Sequence, residues 1–202
     1  INYFIETHLK DSWQFMLVPH ILNYEAGYCA GQFPKFEDGV FWVGEREGRR
    51  DQFILPTAET ALVNLHRGEI LSEDELPKKY FAYTPCYRQE AGSYRSEERG
   101  MIRGHQFNKV EMVQYALPEN SAAAFEEMVG KAEALVRGLG LHYQLSKLAA
   151  GDCSASMART YDIEVWIPSM GIYKEVSSAS NSNDYQARRG SVRVKRKATG
   201  KN

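Results

Sequence analysis

A row of charged side chains broken by one aromatic ring is the part of this chain best equipped for chemistry. Tyr87-Arg88-Gln89-Glu90 stands on one side of a short glycine-containing stretch, Ala91 to Gly100. Arg103-Gly104-His105-Gln106-Phe107-Asn108-Lys109-Val110-Glu111 stands on the other. If both arms are strands, residues of equal parity share a face. That aligns Arg88 with Glu90, and Arg103 with His105, Phe107, Lys109 and Glu111. So many charges do not belong against an apolar core. Solvent suits the charges but not Phe107 in their midst. A binding site suits all of them: arginine for phosphate, an aromatic ring for a flat base, carboxylates for amine groups. The bland alternative is a solvated hairpin in which Arg88 simply pairs with Glu90.

The elements that must position this row follow from periodicity. Ile1, Phe4, Ile5 and Leu9 repeat at helical spacing, so the chain opens in an amphipathic helix. Gln14 to Val18 reads as a strand stopped by Pro19. Gly39 to Asp51 is a polar loop or hairpin, and Gln52 to Leu55 a short strand. A helix carrying Ala58, Ala61, Leu62 and Leu65 starts near Pro56-Thr57, with Thr57 as its N-cap. Tyr80 to Glu90 and Gly104 to Gln114 are the hairpin strands. Asn120 or Ser121 caps the clearest helix, whose stripe of Phe125, Met128, Val129, Ala132, Leu135, Val136 and Leu139 packs a core and is closed by Gly140. Strands follow at Leu141 to Leu148, Tyr161 to Ile167 and Tyr173 to Ser178. Strands joined mostly as hairpins, with a few helices, indicate an α+β fold: an antiparallel β-sheet flanked by helices. The basic tail, from Arg188 through Lys201, reads either as a nucleic-acid contact or as an edge strand. Val192 and Val194 alternate with charges there, which favours the strand.

Bulk properties narrow the function classes. A chain of 202 residues suits one domain, spanning 1–202. The 25 basic and 26 acidic residues nearly cancel, so net charge calls for no nucleic-acid partner. A composition that is 43% hydrophobic and 12% aromatic is that of a folded protein. No apolar run is long enough to cross a bilayer, so no membrane partner is expected. Cys29, Cys86 and Cys153 are few and far apart, which fits a reducing, cytoplasmic setting. Scattered histidines and cysteines offer no structural zinc site. Phosphate-loop and dinucleotide glycine motifs are absent.

The wording of the hairpin resembles motif 2 of the class II aminoacyl-tRNA synthetases. The run from Tyr-Arg-Gln-Glu-Ala-Gly through Glu-Glu-Arg-Gly-Met-Ile-Arg to His-Gln-Phe is similar to that of seryl-tRNA synthetases in particular. Gly31 to Phe36 and Pro56-Thr57-Ala58-Glu59 precede it in the family's order. Thr160 to Trp166, Glu175-Val176-Ser177-Ser178, Ser180-Asn181 and Gln186-Ala187-Arg188-Arg189 follow it. Several collinear matches are far more specific than one.

The resemblance implies a two-step serine–tRNA ligase. L-Serine attacks the α-phosphorus of ATP to give seryl-adenylate, and the acyl group then passes to tRNA(Ser). Arg88 resembles the arginine bridging α-phosphate and serine carboxylate, and Arg103 the one reaching the terminal phosphates; these two are the expected catalytic residues. Glu90 is expected to accept from the adenine amino group and Phe107 to stack on the base. Gln89, Val176 and Ser177 complete the ATP-binding segments. Glu175 and Ser178 resemble the Mg2+ ligands. They differ in strand parity, so a bulge or turn must bring them together. Thr57, Ala58, Glu59, Arg88 and Glu111 are expected around serine. His105 and Lys109 are left as structural or supporting.

The resemblance also implies a homodimer, with the opening helix and the Val18-Pro19 strand end at the two-fold axis; an ordinary core helix is the alternative. The family's N-terminal tRNA-binding arm and its motif 3 have no counterpart in this sequence, which looks like a portion of a catalytic domain. Two other readings stand beside the ligase. One is a paralogue that passes the amino acid to a carrier protein. The other is a non-catalytic, synthetase-like binding protein, against which the intact site residues argue.

Overall fold

Residues 1–90 and 102–200 are described by a computed structural model, the side chain of Arg46 excepted. The stretch 91–101 that joins the two arms, and Lys201 of the basic tail, lie outside the described residues. In chain order the elements are α1 (Asn2–Lys10), β1 (Gln14–Phe15), β2 (Ile21–Asn23), α2 (Tyr24–Cys29), β3 (Trp42–Arg46), β4 (Arg49–Ile54), α3 (Glu59–Leu62), β5 (Ile70–Ser72), β6 (Lys78–Tyr87) and β7 (Gln106–Tyr115). Then come α4 (Ser121–Gly138), β8 (Tyr143–Lys147), β9 (Arg159–Ile167), β10 (Ile172–Asn181), α5 (Tyr185–Arg189) and β11 (Arg193–Lys195). They form two compact units, Ile1–Gln114 with Gln186–Asn202, and Tyr115–Tyr185.

In the first unit, the two site-bearing strands β6 and β7 are neighbours, and β1 lies on the far side of β6. The β1–β6 pairing is parallel, as is β5–β11. Parallel contacts need long connections, and local hairpin patterns give no sign of them. Strand β1 is shorter than the expected Gln14 to Val18. The tail does fold as a strand, with Val194 opposite Leu71. The polar stretch after Gly39 is a hairpin, β3–β4, antiparallel with β2 along its other edge. Glu47 and Gly48 at its tip have φ of 53° and 74°. Two successive positive φ values match the twist of a tight two-residue hairpin, and glycine adopts one without steric cost.

The core of this unit is aromatic. Phe33 and Phe53 are fully buried with ring centroids 4.8 Å apart, and Tyr24 and Trp42 close around Phe33. Asn23 caps α2 by accepting the Ala26 N–H at 3.1 Å. Arg189 of α5 donates to the carbonyls of Tyr28 and Phe33 and covers the Tyr28 ring. The opening helix behaves differently from its apolar stripe: His8 is its buried residue, set against Trp13 and Phe81. Ile1 and Leu9 are exposed in this chain.

In the second unit, α4 lies on a three-stranded antiparallel sheet of order β10-β9-β8. Ala132 and Val136 pack on Ile163 and Val165; Phe125 and Val129 pack on Ala179 and Tyr161. The expected stripe is therefore a core stripe, except that Leu139 falls past the last turn and is exposed. The anticipated side-chain cap is not made. A 3-10 turn, Pro118–Asn120, leads straight into the helix, and Ser121 bonds to Asn181. No described helix is long and apolar enough to cross a membrane.

Phe53 joins the hairpin to the segment leading to Thr57. Phe53→Ala is expected to lower stability by about 3–5 kcal/mol, the usual cost of truncating a buried aromatic. The midpoint of urea unfolding reads this directly.

Candidate active site

Two carboxylates anchor the candidate site in the first unit. Glu111, on β7, receives the Thr57 hydroxyl at 2.9 Å and the Lys109 ammonium at 2.7 Å, both on Oε2. Lys109 and Glu111 meet because they are two apart on one strand face. Glu59, the first residue of α3, receives Gln186 Nε2 at 2.7 Å on Oε1. The same amide donates to the Ala30 carbonyl at 3.0 Å, so α5 fixes the carboxylate against the loop after α2.

Thr57 stands one residue before the N-cap of α3, which is Ala58 and not the expected Thr57. Its hydroxyl oxygen accepts the Glu59 N–H at 3.3 Å while its proton goes to Glu111. The helix itself is shorter than the periodicity suggested and does not reach Leu65. Asn64 donates to the Thr60 and Ala26 carbonyls, drawing the chain into a turn. Ala58 is fully buried beside Thr57.

Glu59 keeps only a partial opening to the surface. Burial raises its pKa, and the negative charge of Glu111 raises it further. The Gln186 hydrogen bond and the charges of Lys109 and Arg88 oppose this without cancelling it. Two close carboxylates in an enclosed place form a natural seat for a small cation such as an ammonium group.

Of the nucleotide-type residues, Phe107 is on β7, Arg88 and Glu90 follow the end of β6, and Arg103 precedes β7. The Arg88 guanidinium lies 5.1 Å from the centroid of Phe107 and donates through Nε to the Pro56 carbonyl at 3.2 Å. Glu90 does not pair with Arg88 in the manner of the bland reading. Its carboxylate takes Arg103, with Nη2 at 2.6 Å and Nε at 2.7 Å from Oε2. Glu90 adopts φ of 50°, which turns the chain as it leaves the strand. Gln89 is pinned, donating to the Val40 carbonyl at 2.7 Å. His105 approaches the Arg88 carbonyl at 3.3 Å and sets its edge against Phe41.

The second unit carries the other predicted group. On β10, Glu175 faces Glu164, but the next pair is Ser177 with Ile163. Val176 is the extra residue of a β-bulge. Strand β9 is regular there, so Glu164 and Asp162 share a face, and so do their partners Glu175 and Ser178. The bulge thereby removes the parity conflict in the sequence. Gln144 joins the same face and donates to Glu164 at 2.7 Å. Asp162 is buried, and Ser178 hydrogen-bonds to its carboxylate. Burial raises the Asp162 pKa, with the Ser178 bond acting against it. Among the described residues no group of three or more His, Cys, Asp or Glu is placed to hold a metal ion. Glu175 and Ser178 lie on one sheet face and offer oxygen atoms only, the ligand type that magnesium prefers.

Sequence reasoning assigned no role to Gln186 or Asp162. Both lie in stretches that carried the resemblance, but their partners, Glu59 and Ser178, are set by tertiary pairing and by the bulge.

The model of the class II tRNA synthetase core domain for G, H, P, S and T matches residues 41–202. The chain belongs to the class II aminoacyl-tRNA synthetases. Over all 202 residues it is 75% identical to serine–tRNA ligase 2 of Clostridium acetobutylicum and 50% identical to serine–tRNA ligase of Thermotoga maritima. It covers 48% and 47% of those proteins, so it spans about half the length of these relatives. Seryl-tRNA synthetase from Pyrococcus horikoshii, solved in complex with ATP, superimposes with a TM-score of 0.92 at 33% identity, covering 98% of this chain and 43% of that one. The helices and antiparallel sheets expected from the sequence are those of the class II catalytic fold.

The raised pKa of Glu59 has a thermodynamic consequence. The folded state binds this proton more tightly than the unfolded state. Glu59 therefore costs stability as pH rises from its unfolded pKa through its folded one, and the cost is full above that range. Glu59→Gln should melt at a higher temperature than wild type near pH 8, with the gap closing towards about pH 4. Melting curves across that range check it; a gap that stays constant would remove the electrostatic explanation.

Proposed function

We propose that the protein carrying this chain is an ATP-dependent serine–tRNA ligase. The observation that carries this reading is the pair Glu59 and Glu111, with Thr57 bonded to Glu111 and Arg88 just past the end of β6. An amino acid brings one ammonium and one carboxylate. The acidic pair suits the first, and the planar fork of Arg88 suits the second. The enclosure by Thr57, Ala58 and Glu59 favours a small polar side chain. A site that hydrogen-bonds a substrate hydroxyl rejects alanine through the polar group left unpaired, and rejects threonine only by size. The names of the 75% and 50% identical relatives point the same way.

In the first step a serine carboxylate oxygen attacks the α-phosphorus of ATP, and the bond to the β-phosphate breaks to release pyrophosphate. No protein nucleophile takes part. Arg88 holds the attacking carboxylate and the α-phosphate together, and Arg103 the terminal phosphates, so catalysis is positioning and charge stabilisation. Phe107 stacks on adenine, and Glu90 accepts from its amino group. Gln89, Val176 and Ser177 are neighbours in the two ATP-binding segments. Glu175 and Ser178 would hold Mg2+, which offsets phosphate charge when bound. In the second step the acyl group passes to the terminal ribose of tRNA(Ser). We read residues 1–202 as one catalytic core, working in the cytoplasm.

The assembly we propose is a homodimer through the opening region. Leu17 is 87% exposed, and Ile1, Leu9, Phe15 and Ile21 are exposed in the same N-terminal region. Apolar exposure on this scale marks an interaction surface.

Serine-dependent exchange of pyrophosphate into ATP by the full-length protein tests the reaction, run beside threonine, alanine and glycine. Serine should dominate, and transfer to tRNA(Ser) should follow; transfer to a carrier protein alone would replace the tRNA assignment. Phe107→Ala should weaken ATP binding by about 1–3 kcal/mol, the scale of base stacking on an aromatic ring. Glu111→Gln should reduce serine affinity much more than ATP affinity; equal losses would mean a general collapse of the site. Sedimentation should give a dimer at micromolar concentration, and a monomer would refute the assembly.

A further inference from the structure

We infer that Asp162 is a positioning residue for the metal, acting through Ser178. This rests on the reading of Glu175 and Ser178 as the metal ligands. Asp162 lies directly opposite Ser178 in the β9–β10 register, on the sheet face that also carries Glu164 and Glu175. It is 8% exposed, and its Oδ1 has no hydrogen-bond partner. Its carboxylate interacts with the hydroxyl of Ser178, the residue facing it across the strands. A hydroxyl has one proton and two lone pairs. With its proton committed to Asp162, Ser178 turns its lone pairs to a cation, and the carboxylate charge makes that oxygen a better donor. Asp162 is buried while Glu175 and Ser178 are exposed, so Asp162 acts behind the ligand. The pairing Thr160 Oγ1–Ser180 Oγ, 2.9 Å, fixes the next rung of the same face and holds the register.

Such outer groups typically change metal affinity ten- to a hundredfold, roughly. The test is Mn2+ binding by electron paramagnetic resonance, with ATP present, in the full-length protein. Asp162→Asn keeps the shape and removes the charge; Asp162→Ser is the second variant should the amide not fit. Mn2+ affinity should fall about tenfold or more. ATP affinity in EDTA should be unchanged, and Asp162→Asn should add no loss in a Ser178→Ala background. If Glu175→Gln loses Mn2+ while Asp162→Asn keeps it, this inference is wrong and the ligand assignment stands. A loss that persists in full without the Ser178 hydroxyl also overturns it. If Glu175→Gln binds Mn2+ normally, the ligand assignment falls and this inference with it.

Discussion

Two acidic side chains sharing one enclosed place is the constraint around which the first unit is organised. Burial raises the cost of ionising Glu59, and the charge of Glu111 adds to it. Much of the surrounding structure offsets that cost. Lys109 and Thr57 hold Glu111; Gln186 holds Glu59; Arg88 stands near enough to bias the Glu59 carboxyl towards its charged form. These groups come from β7, from the turn before α3, from α5 and from the end of β6. The tail segment therefore belongs to the site although more than a hundred residues separate Gln186 from Glu59. A helix of five residues has little stability of its own, so its docking through Gln186 and Arg189 is what keeps it in place.

The second unit solves a different problem, bringing Glu175 and Ser178, the proposed metal ligands, to one face of a sheet. A regular strand alternates its faces, so residues three apart look in opposite directions. One extra residue at Val176 reverses the alternation and places Glu175 and Ser178 side by side. The opposite face stays apolar, with Ile163, Val165 and Ala179 under α4. The bulge thus changes which residues meet across the polar face while the core contacts continue on either side of it. Bulges of this kind re-aim side chains next to active sites.

Local signals were legible in the sequence wherever local physics decides structure. The α4 stripe and the alternation in the tail follow from neighbours a few residues apart, whereas Gly39 to Asp51 reads equally as loop or hairpin and its Glu47-Gly48 turn appears only in the fold. The charged row from Arg88 to Glu111 was legible as a candidate site because its residue types sit poorly both in a core and on a solvated face. What escaped was set by distant partners. The parallel pairings of β1 with β6 and β5 with β11 join segments with no shared turn. Periodicity could not tell that His8 would be the buried residue of α1, since that choice depends on Trp13 and Phe81 across the core. The need for a bulge between Glu175 and Ser178 could be stated from parity, but its position at Val176, and with it the partnership of Asp162, appears only in the register.

The charged groups proposed to meet substrate already have partners within the chain. Arg103 holds Glu90, Lys109 holds Glu111, and Arg88 lies over Phe107. An unpaired charge in a partly enclosed site would be expensive. Pairing them internally keeps the site folded and its side chains near their working positions. Binding then becomes an exchange of partners: phosphate for Glu90 at Arg103, and adenine or its amino group for protein contacts at Phe107 and Glu90. The net affinity is the difference between the two sets of bonds, which is smaller than either alone. A ligand that satisfies only part of the exchange leaves a charge without its partner, and that penalty is larger than the lost contact itself. In the proposed reading, discrimination comes from that asymmetry: a molecule lacking the ammonium would fail to relieve Glu59, whatever its fit elsewhere.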